Sequence, residues 1–290
     1  MPNIGIENIT ERELQKYAAP LPTEFVASNE DASENYVQVK ELEEEFGFEY
    51  ASLIGMLIYL MNTAFIIHFP ITKLARFMAL PGRTHFKAAK HLLNFLRCHH
   101  RQLGITYYTD VKKSPIYELI KENSDVNPES PLILFTDSSW QDCPDTGRST
   151  GGFLLYHQGG IIDGASFTPN PVAMSTAEAE YNALAHAMQA VINSKQSIQE
   201  LHGNHPDTPL SVPLLCDSES AIIMGSNQKD TKRTRHIQRR MHFVRDNFAS
   251  KAFTSHKIPG ELNPSDTGTK GRPSDKIKTF IPLMNSTVPL

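Results

Sequence analysis

The sequence predicts a mixed α/β protein in which a small helical region precedes one sheet with flanking helices. Three observations predict this class. Apolar residues at helical spacing dominate residues 50–105, a polar, proline-containing linker ends near residue 131, and short apolar runs separated by glycine pairs follow the linker. Strand-like and helix-like segments then alternate as far as residue 284, which is typical of a sheet with helices packed against it.

Residues 1–47 are predicted to form an acidic, largely irregular segment. The first fifty residues carry 12 Asp or Glu and 3 Lys or Arg, a net charge of −9, whereas the remainder of the chain has a net charge of +5. Acidic stretches of this kind fold weakly on their own. The basic remainder is compatible with a polyanionic partner.

Residues 48–110 are predicted to be helical, and their most apolar part has two interpretations. Residues 51–69 lack charged side chains and are nearly long enough to span a bilayer. However, Asn62 and Thr63 interrupt the stretch, which favours a buried helix, a turn and a second apolar segment, and no membrane partner. An amphipathic helix is predicted at 85–100, with the buried stripe Phe86, Ala89, Leu92, Leu93 and Leu96.

Residues 131–284 are predicted to form the second region, with a sheet of antiparallel strands at its start. The predicted strands lie at 131–140, 151–158, 159–167, 210–217 and 252–259. The predicted helices comprise one at 176–201 that ends before Gly203, a short one after the fourth strand, one at 232–250 and one at 274–284.

The cysteines indicate an intracellular, reducing compartment. Cys98, Cys143 and Cys216 form neither a CxxC pair nor a cluster with zinc-finger spacing. The first residues also lack the basic-then-apolar layout of a signal peptide. These patterns predict neither a disulfide scaffold nor a structural zinc site.

Two carboxylates stand at the predicted ends of strands. Asp137 follows the apolar run LILFT, and Asp217 follows PLLC. Either residue alone is most simply a cap or turn residue. If the two strands are neighbours, however, both side chains emerge at one edge of the sheet, where open α/β sheets place their chemistry. Converging carboxylates need a cation between them, and oxygen ligands of this type suit Mg²⁺.

The stretch STAEAEY contains two glutamates that we expect to have different roles. Ser175 and Glu178 have the spacing of a capping box, so Glu178 is predicted to close the start of the long helix. Glu180 lies beside the predicted core stripe of that helix (Tyr181, Leu184, Ala185, Met188, Val191 and Ile192). A solvated position is the alternative, but a helix lying across the sheet would let Glu180 reach Asp137 and Asp217.

Six motifs in order resemble the ribonuclease H domain of copia-type retrotransposon polyproteins. They are LFTDSSW, RSTGGFLL, STAEAEYNAL, LLCDSESAI, RTRHIQRRMHFVRD and NPSDTGTK. Upstream, YASLIGMLIYLMNT and HFKAAKHLLNFLR resemble the segment that connects this domain to the reverse transcriptase. The resemblance covers about residues 48–272. It implies a ribonuclease H-like five-stranded mixed sheet with flanking helices, and an upstream reverse transcriptase polypeptide as a partner.

The resemblance also implies a function and a set of site residues. Four metal-binding, catalytic carboxylates are implied: Asp137, Glu180, Asp217 and Asp266. In the family, two Mg²⁺ ions, for which Mn²⁺ can substitute, activate a water and stabilise the leaving oxygen as the RNA strand of an RNA–DNA hybrid is cut. Small polar groups near the site, Ser138, Ser139 and Ser218, are candidates for contacts to the RNA 2′-hydroxyls.

A basic stretch contains candidate residues for binding the nucleic-acid backbone. Residues 229–251 contain eight Lys or Arg and two Asp. The candidate phosphate contacts are Arg235, Arg239, Arg240 and His242, although a solvated charged face is the alternative. His256 does not fit the copia spacing and is interpreted as an ordinary strand histidine.

Departures from the family pattern leave two functional hypotheses open. Ser139 precedes Trp140 where the family commonly has an aspartate, and an apolar stretch replaces a charged turn near residues 63–67. The chain contains no Tyr-x-Asp-Asp polymerase motif, so DNA synthesis is not expected. An active ribonuclease H is the first hypothesis, and a silent retroelement remnant that still binds nucleic acid is the second. A phosphatase is disfavoured because TDSSW lacks the DxD arrangement.

Overall fold

The computed structural model describes residues 9–22, 25–170, 172–201, 210–219, 222–223 and 238–285. The described helices are α1 (Glu11–Lys16), α2 (Tyr36–Phe46), α3 (Tyr50–Leu60), α4 (His68–Ala75), α5 (Arg83–His99), α6 (Pro115–Asn123), α7 (Thr176–Leu201), α8 (Gln238–Ala249) and α9 (Ser274–Asn285). The described strands are β1 (Ile133–Ser139), β2 (Thr150–His157), β3 (Gly160–Phe167), β4 (Val212–Cys216) and β5 (Phe253–Lys257).

The chain divides into two compact units. Unit 1 holds the described residues up to 105, the loop 143–147 and the described residues from 270 onwards, whereas unit 2 holds 106–142 and the described residues within 148–269. Helix α9 therefore groups with unit 1. Within unit 1 the loop 143–147 is held by Asp145, whose carboxylate accepts hydrogen bonds from the Asn29 backbone N–H at 3.0 Å and from Arg76 at 3.2 Å.

Unit 1 is built from helices. Residues 50–75 form α3, a turn and α4, so the predicted order of a helix, a turn and a second apolar segment is confirmed. The predicted burial of the first helix is only partly correct, because one face of α3 is buried whereas Met56, Ile58 and Tyr59 are exposed. No helix in the described part of the chain is long and apolar enough to cross a membrane. In α5 the predicted stripe is buried except for Leu93, which is half-buried. The acidic first segment contains α1 and α2, more regular structure than its composition predicted.

Local capping explains the two helices of the acidic segment. Thr10 and Glu13 form a complete capping box at the start of α1. The Asn35 side chain accepts hydrogen bonds from the backbone N–H groups of Val37 and Gln38 at the start of α2. These contacts satisfy N–H groups that a helix start otherwise leaves unpaired, and they are independent of net charge.

Unit 2 contains a five-stranded mixed sheet with the strand order β3-β2-β1-β4-β5. β1 pairs antiparallel with β2 and parallel with β4, and β4 pairs parallel with β5. Because β1 and β4 are parallel, their carboxyl ends lie at the same edge of the sheet. The predicted α/β class, a five-stranded mixed sheet with flanking helices, is confirmed.

Helix α7 packs on the sheet through the predicted stripe. Tyr181, Leu184, Ala185, Met188 and Val191 belong to one buried cluster with β-strand residues such as Leu134, Leu155 and Leu214, whereas Ile192 is half-buried. Burying apolar side chains in this way is the main force that holds a helix on a sheet. The position of α7 then decides where Glu180 lies.

Helix α8 also packs into this cluster, through Met241 and Val244. Its described bounds begin at Gln238, so the predicted start near 232 lies outside the described residues, as do Gly203 and most of the short helix predicted after β4. The remaining predicted elements of unit 2 agree with the structure to within a few residues.

Candidate metal centre

Three carboxylates from three separate elements converge at one edge of the sheet. Asp137 lies near the carboxyl end of β1, Asp217 directly follows β4, and Glu180 lies in the second turn of α7. One oxygen of each carboxylate can be chosen such that all three lie within 4.8 Å of one another. Parallel pairing of β1 with β4 therefore brings together two of the predicted side chains, and α7 supplies the third.

Glu180 is the electrostatically strained member of this trio. Its Oε1 accepts a hydrogen bond from the Ser138 backbone N–H at 3.2 Å, whereas its buried Oε2 has no hydrogen-bond partner among the described residues. Burial raises the pKa of Glu180 from 4.5 to about 9, and the charges of Asp137 and then Asp217 contribute to the rise. A cation between the three carboxylates would offset this repulsion.

Glu178 has a different role from Glu180. Its backbone N–H donates to Ser175 Oγ at 3.2 Å, and its Oε2 accepts from the Met174 backbone N–H at 3.0 Å. The reciprocal bond reaches one residue before the N-cap instead of the N-cap itself. Glu178 therefore closes the start of α7, as the spacing predicted, and it is not part of the carboxylate trio.

The segment 263–269 packs against β1 and holds Asp137 in place. Asn263 Nδ2 donates to the Thr136 carbonyl oxygen at 2.8 Å, and Thr269 Oγ1 donates to Asp137 Oδ2 at 2.5 Å. Asn263 and Thr269 are both fully buried. The Thr269 hydroxyl, a neutral donor, thus orients one oxygen of Asp137.

Asp266 lies in a short 3₁₀ helix, Pro264–Gly268, and is 3% exposed. It is not among the three carboxylates that the structure brings within ligand distance of one another. The segment that carries it nevertheless reaches the site through Thr269. The close approach of this segment to β2 requires a glycine at position 152, because a Cβ there would lie 2.9 Å from the Ser265 carbonyl oxygen.

A second glycine shapes the position of Asp217. A Cβ on Gly260 would lie 2.5 Å from Asp217 Oδ2. The absence of a side chain at residue 260 thus allows the chain after β5 to run directly beside this carboxylate. No local pattern in the sequence marks Gly152, Gly260, Asn263 and Thr269 as site residues, because a single sequence does not show which distant chain segment a small residue contacts.

The predicted nucleic-acid contacts fall into three groups. Ser138 is buried, and Ser139 and Ser218 are half-exposed near the carboxylates at the ends of β1 and β4. On α8, Arg239 and His242 are exposed, whereas the Arg240 guanidinium hydrogen-bonds the Asn182 side chain and the Asn170 carbonyl oxygen. Arg235 lies outside the described residues.

His256 lies on β5, and both of its ring nitrogens have partners. Nδ1 lies 2.8 Å from Asp125 Oδ1, and Nε2 lies 2.9 Å from Thr254 Oγ1. The hydrogen bond from His256 lowers the pKa of Asp125. This pairing fits the interpretation of His256 as an ordinary strand histidine.

The trio offers a donor set that suits a hard divalent cation. All its potential ligand atoms are carboxylate oxygens, and Glu180 Oε2 is buried without a hydrogen-bond donor among the described residues. Neither cysteine nor histidine belongs to the set, so it is unlike the sites that soft metals prefer. The residues therefore fit Mg²⁺ or a similar ion.

Comparison with known proteins found relatives among transposon polyproteins. The chain is 31% identical over 276 residues to the retrovirus-related Pol polyprotein from transposon TNT 1-94 of Nicotiana tabacum, an alignment that covers 94% of this chain and 19% of the relative. It is 25% identical to the Pol polyprotein from transposon RE1 of Arabidopsis thaliana over 77% of this chain and 14% of the relative. It is 26% identical to the Ty1-DR5 Gag-Pol polyprotein of Saccharomyces cerevisiae over 98% of this chain and 16% of the relative.

Solved structures with partial similarity are ribonucleases H. RNase H1 from Halobacterium salinarum NRC-1 superposes with a TM-score of 0.33 and 17% identity, covering 46% of this chain and 89% of that chain. LC11-RNase H1 in complex with an RNA/DNA hybrid superposes with a TM-score of 0.34 and 17% identity, covering 48% of this chain and 93% of that chain.

No family model matches the chain. The chain spans less than a fifth of the length of each polyprotein relative described above. The alignments nevertheless cover most of the chain, and they include proteins from plants and yeast. Over most of its length this chain is therefore a homologue of one segment of the retrotransposon Pol polyproteins, which confirms the relationship that its motifs predicted.

Proposed function

We propose that the chain is a metal-dependent ribonuclease H of copia type that cleaves the RNA strand of RNA–DNA hybrids. The observation that carries this proposal is the convergence of Asp137, Glu180 and Asp217 at one edge of the mixed sheet, where no described residue donates a hydrogen bond to the buried Glu180 Oε2. The homology to retrotransposon Pol polyproteins supports it, because the motif resemblance to their ribonuclease H domain implies an RNA–DNA hybrid as the substrate.

The roles of the carboxylates follow from their positions. We assign Asp137, Glu180 and Asp217 as the metal ligands, and Asp266 as the fourth catalytic and metal-binding carboxylate by the family motif. Two Mg²⁺ ions, or Mn²⁺ in their place, would supply a nucleophilic water at neutral pH and charge neutralisation at the phosphate. Thr269 orients Asp137, and the Ser138 backbone N–H orients Glu180.

Substrate contacts are assigned to polar and basic residues near the site and on α8. Ser138, Ser139 and Ser218 lie close to the carboxylates in sequence and are proposed to face the RNA strand. Arg235, Arg239, Arg240 and His242 are proposed to contribute positive potential for the backbone phosphates.

The polyprotein relatives suggest a context for the reaction. We propose that the chain acts beside an upstream reverse transcriptase polypeptide, inside the cell, in a cytoplasmic particle or in the nucleus. We further propose that the nuclease region spans 131–284 and that 48–110 is a remnant of the polymerase connection. In this arrangement the polymerase would deliver the hybrid, and the carboxylate edge would cut it.

A cleavage assay tests the function and the assignment of the glutamates together. The purified chain is incubated with a hybrid labelled on each strand in turn, with Mg²⁺ or with EDTA. We expect Mg²⁺-dependent cutting of the RNA strand only, lost in Asp137→Asn and Glu180→Gln and retained in Glu178→Gln.

The controls separate the two hypotheses that the sequence left open. A folded chain that binds the hybrid in EDTA but never cuts it with Mg²⁺ or Mn²⁺ would support the silent remnant. Loss of cutting in Glu178→Gln, with Glu180→Gln active and both variants folded, would show that the roles of the two glutamates are reversed.

A further inference from the structure

A polar cleft in unit 2 lies between α7, α8 and the segment that follows β3. Its volume is about 490 Å³. The polar residues that line it are Thr168, Asn170, Asn182, His186, Gln189, Arg239 and Arg240. None of its described lining residues is acidic and two are arginines, so the lining is suited to an anion.

Arg240 fixes the structure of the cleft. Its Nη1 donates to Asn182 Oδ1 at 2.9 Å, and its Nη2 donates to the Asn170 carbonyl oxygen. The guanidinium therefore joins α8 to α7 and to the segment after β3. Because a guanidinium can only donate hydrogen bonds, the Asn182 amide must turn its oxygen toward Arg240.

This orientation leaves a buried donor in the cleft without an acceptor. Asn182 is 2% exposed, and its Nδ2 has no hydrogen-bond partner among the residues that the structure describes. Buried donors are almost always paired in folded proteins, so an unpaired one in a cleft indicates a missing acceptor. An anion oxygen would satisfy it.

Two further side chains suit an anion with an attached nucleoside. Arg239 is exposed at the cleft and forms no ion pair with any residue in the described ranges. The ring of His186 stacks on Phe167, with 3.9 Å between ring centroids and an interplanar angle of 25°. The cleft thus combines an exposed cation, a buried amide donor and an aromatic side chain.

We propose that this cleft binds a backbone phosphate of the nucleic acid, with Arg239 as its cationic contact, the Asn182 amide as its donor and Arg240 as the residue that positions Asn182. The proposal rests on the proposed function, since it takes the RNA–DNA hybrid as the source of the phosphate. The two neighbouring arginines therefore have different roles: Arg239 contacts the phosphate, whereas Arg240 orients the Asn182 amide.

Binding measurements in EDTA test the cleft without cleavage. Fluorescence anisotropy of a labelled hybrid is recorded between 50 and 200 mM KCl for the parent chain, Arg239→Gln, Asn182→Asp and Lys113→Gln. Asn182→Asp keeps an acceptor for Arg240 but replaces the donor with a negative charge. Lys113 is exposed in unit 2 and does not line the cleft, so Lys113→Gln is a control with the same charge change as Arg239→Gln.

We expect Arg239→Gln and Asn182→Asp to weaken binding several-fold at 100 mM KCl. Loss of one phosphate contact should also reduce the slope of log K against log [KCl] by about 0.9 in Arg239→Gln, with little change in Lys113→Gln. If Arg239→Gln and Asn182→Asp bind the hybrid as the Lys113→Gln control does, the phosphate assignment is wrong, even if the parent chain cuts the hybrid.

A titration with inorganic phosphate and with a mononucleotide distinguishes a free ligand from the hybrid. Perturbation of the His186 ring resonances by either ligand, lost in Asn182→Asp, supports a phosphate site whether or not the chain cleaves a hybrid. Absence of both this response and hybrid binding in a folded parent chain would overturn the cleft proposal. If the hybrid is bound and cut but the cleft variants behave as the parent chain does, the nuclease assignment stands and only the cleft proposal is wrong.

Discussion

Replacing Glu180 with Gln is expected to stabilise the metal-free protein, and to do so more strongly as the pH rises. The pKa of Glu180 in the folded protein is about 9, whereas its ordinary value is 4.5. Between these values the folded protein holds a proton on Glu180 that the unfolded chain has released. The stability associated with Glu180 is therefore fully present below pH 4.5 and is lost as the pH rises toward 9.

The size of this stability difference follows from the rise in the pKa of Glu180 on folding. One pKa unit corresponds to about 1.4 kcal/mol, so protonating Glu180 on folding at pH 7 costs up to about 3 kcal/mol. Gln has nearly the shape of protonated Glu and does not titrate. The free energy of unfolding of Glu180→Gln should thus equal that of the parent near pH 4.5 and exceed it by about 2–3 kcal/mol at pH 7.

Urea unfolding in EDTA at pH 5, 7 and 8.5 measures this difference. Trp140 is the single tryptophan, and its indole N–H donates to the Ala173 carbonyl oxygen at 3.1 Å within unit 2, so its fluorescence reports on the unit that contains the site. Added Mg²⁺ should stabilise the parent more than Glu180→Gln, because the variant lacks one ligand.

Glu178→Gln is the matched control for this experiment. It weakens the acceptor of the Met174 N–H, so we expect a loss of about 0.5–1 kcal/mol with little dependence on pH between 6 and 9. The reasoning about Glu180 is refuted if the difference between Glu180→Gln and the parent does not grow with pH, or if Glu180→Gln is the less stable protein at pH 7.

Three further predictions concern the residues around the trio. Thr269→Val removes the hydroxyl that donates to Asp137, so we expect the Mg²⁺ concentration for half-maximal cleavage to rise about tenfold, with recovery in Thr269→Ser. Gly260→Ala places a Cβ 2.5 Å from Asp217 Oδ2, so the carboxylate must shift and we expect the cleavage rate to fall at least about tenfold while the fold persists. His256→Gln should leave the cleavage rate nearly unchanged, because both ring nitrogens of His256 are held by other residues.

Each of these three outcomes has a contrary result. An unchanged Mg²⁺ requirement in Thr269→Val would show that the hydroxyl does not position Asp137. Full activity of Gly260→Ala at low Mg²⁺ would show that Asp217 tolerates displacement. A large loss of rate in folded His256→Gln would mean that His256 takes part in the reaction despite its pairing with Asp125.

Local patterns in the sequence predicted the elements that place the trio. Asp137 and Asp217 follow apolar runs, and both side chains lie at the edge of the sheet where parallel strands end. The spacing of Ser175 and Glu178 predicted the start of α7, which in turn separated Glu178 from Glu180. These signals are readable because caps and strand ends depend on residues close in sequence.

Contacts between distant segments could not be predicted in the same way. The hydrogen bond from Thr269 to Asp137 joins residues 132 positions apart, and nothing near Thr269 in the sequence specifies it. The contact of Arg240 could not be predicted either. Its basic sequence neighbours predicted an exposed charged face, whereas in the structure its guanidinium donates a hydrogen bond to Asn182. Tertiary packing decides such cases, and a single sequence does not record it.

The parallel pairing of β1 with β4 also determines when the site can exist during folding. Asp137 lies on β1, and Asp217 lies beside it only when β4 is paired with β1. Such long-range pairing forms late, because the intervening loop must be closed before the strands gain any contact. A chain that ends before β4 holds two of the three carboxylates and cannot assemble the trio, so the proposed metal site is complete only when β4 has paired with β1.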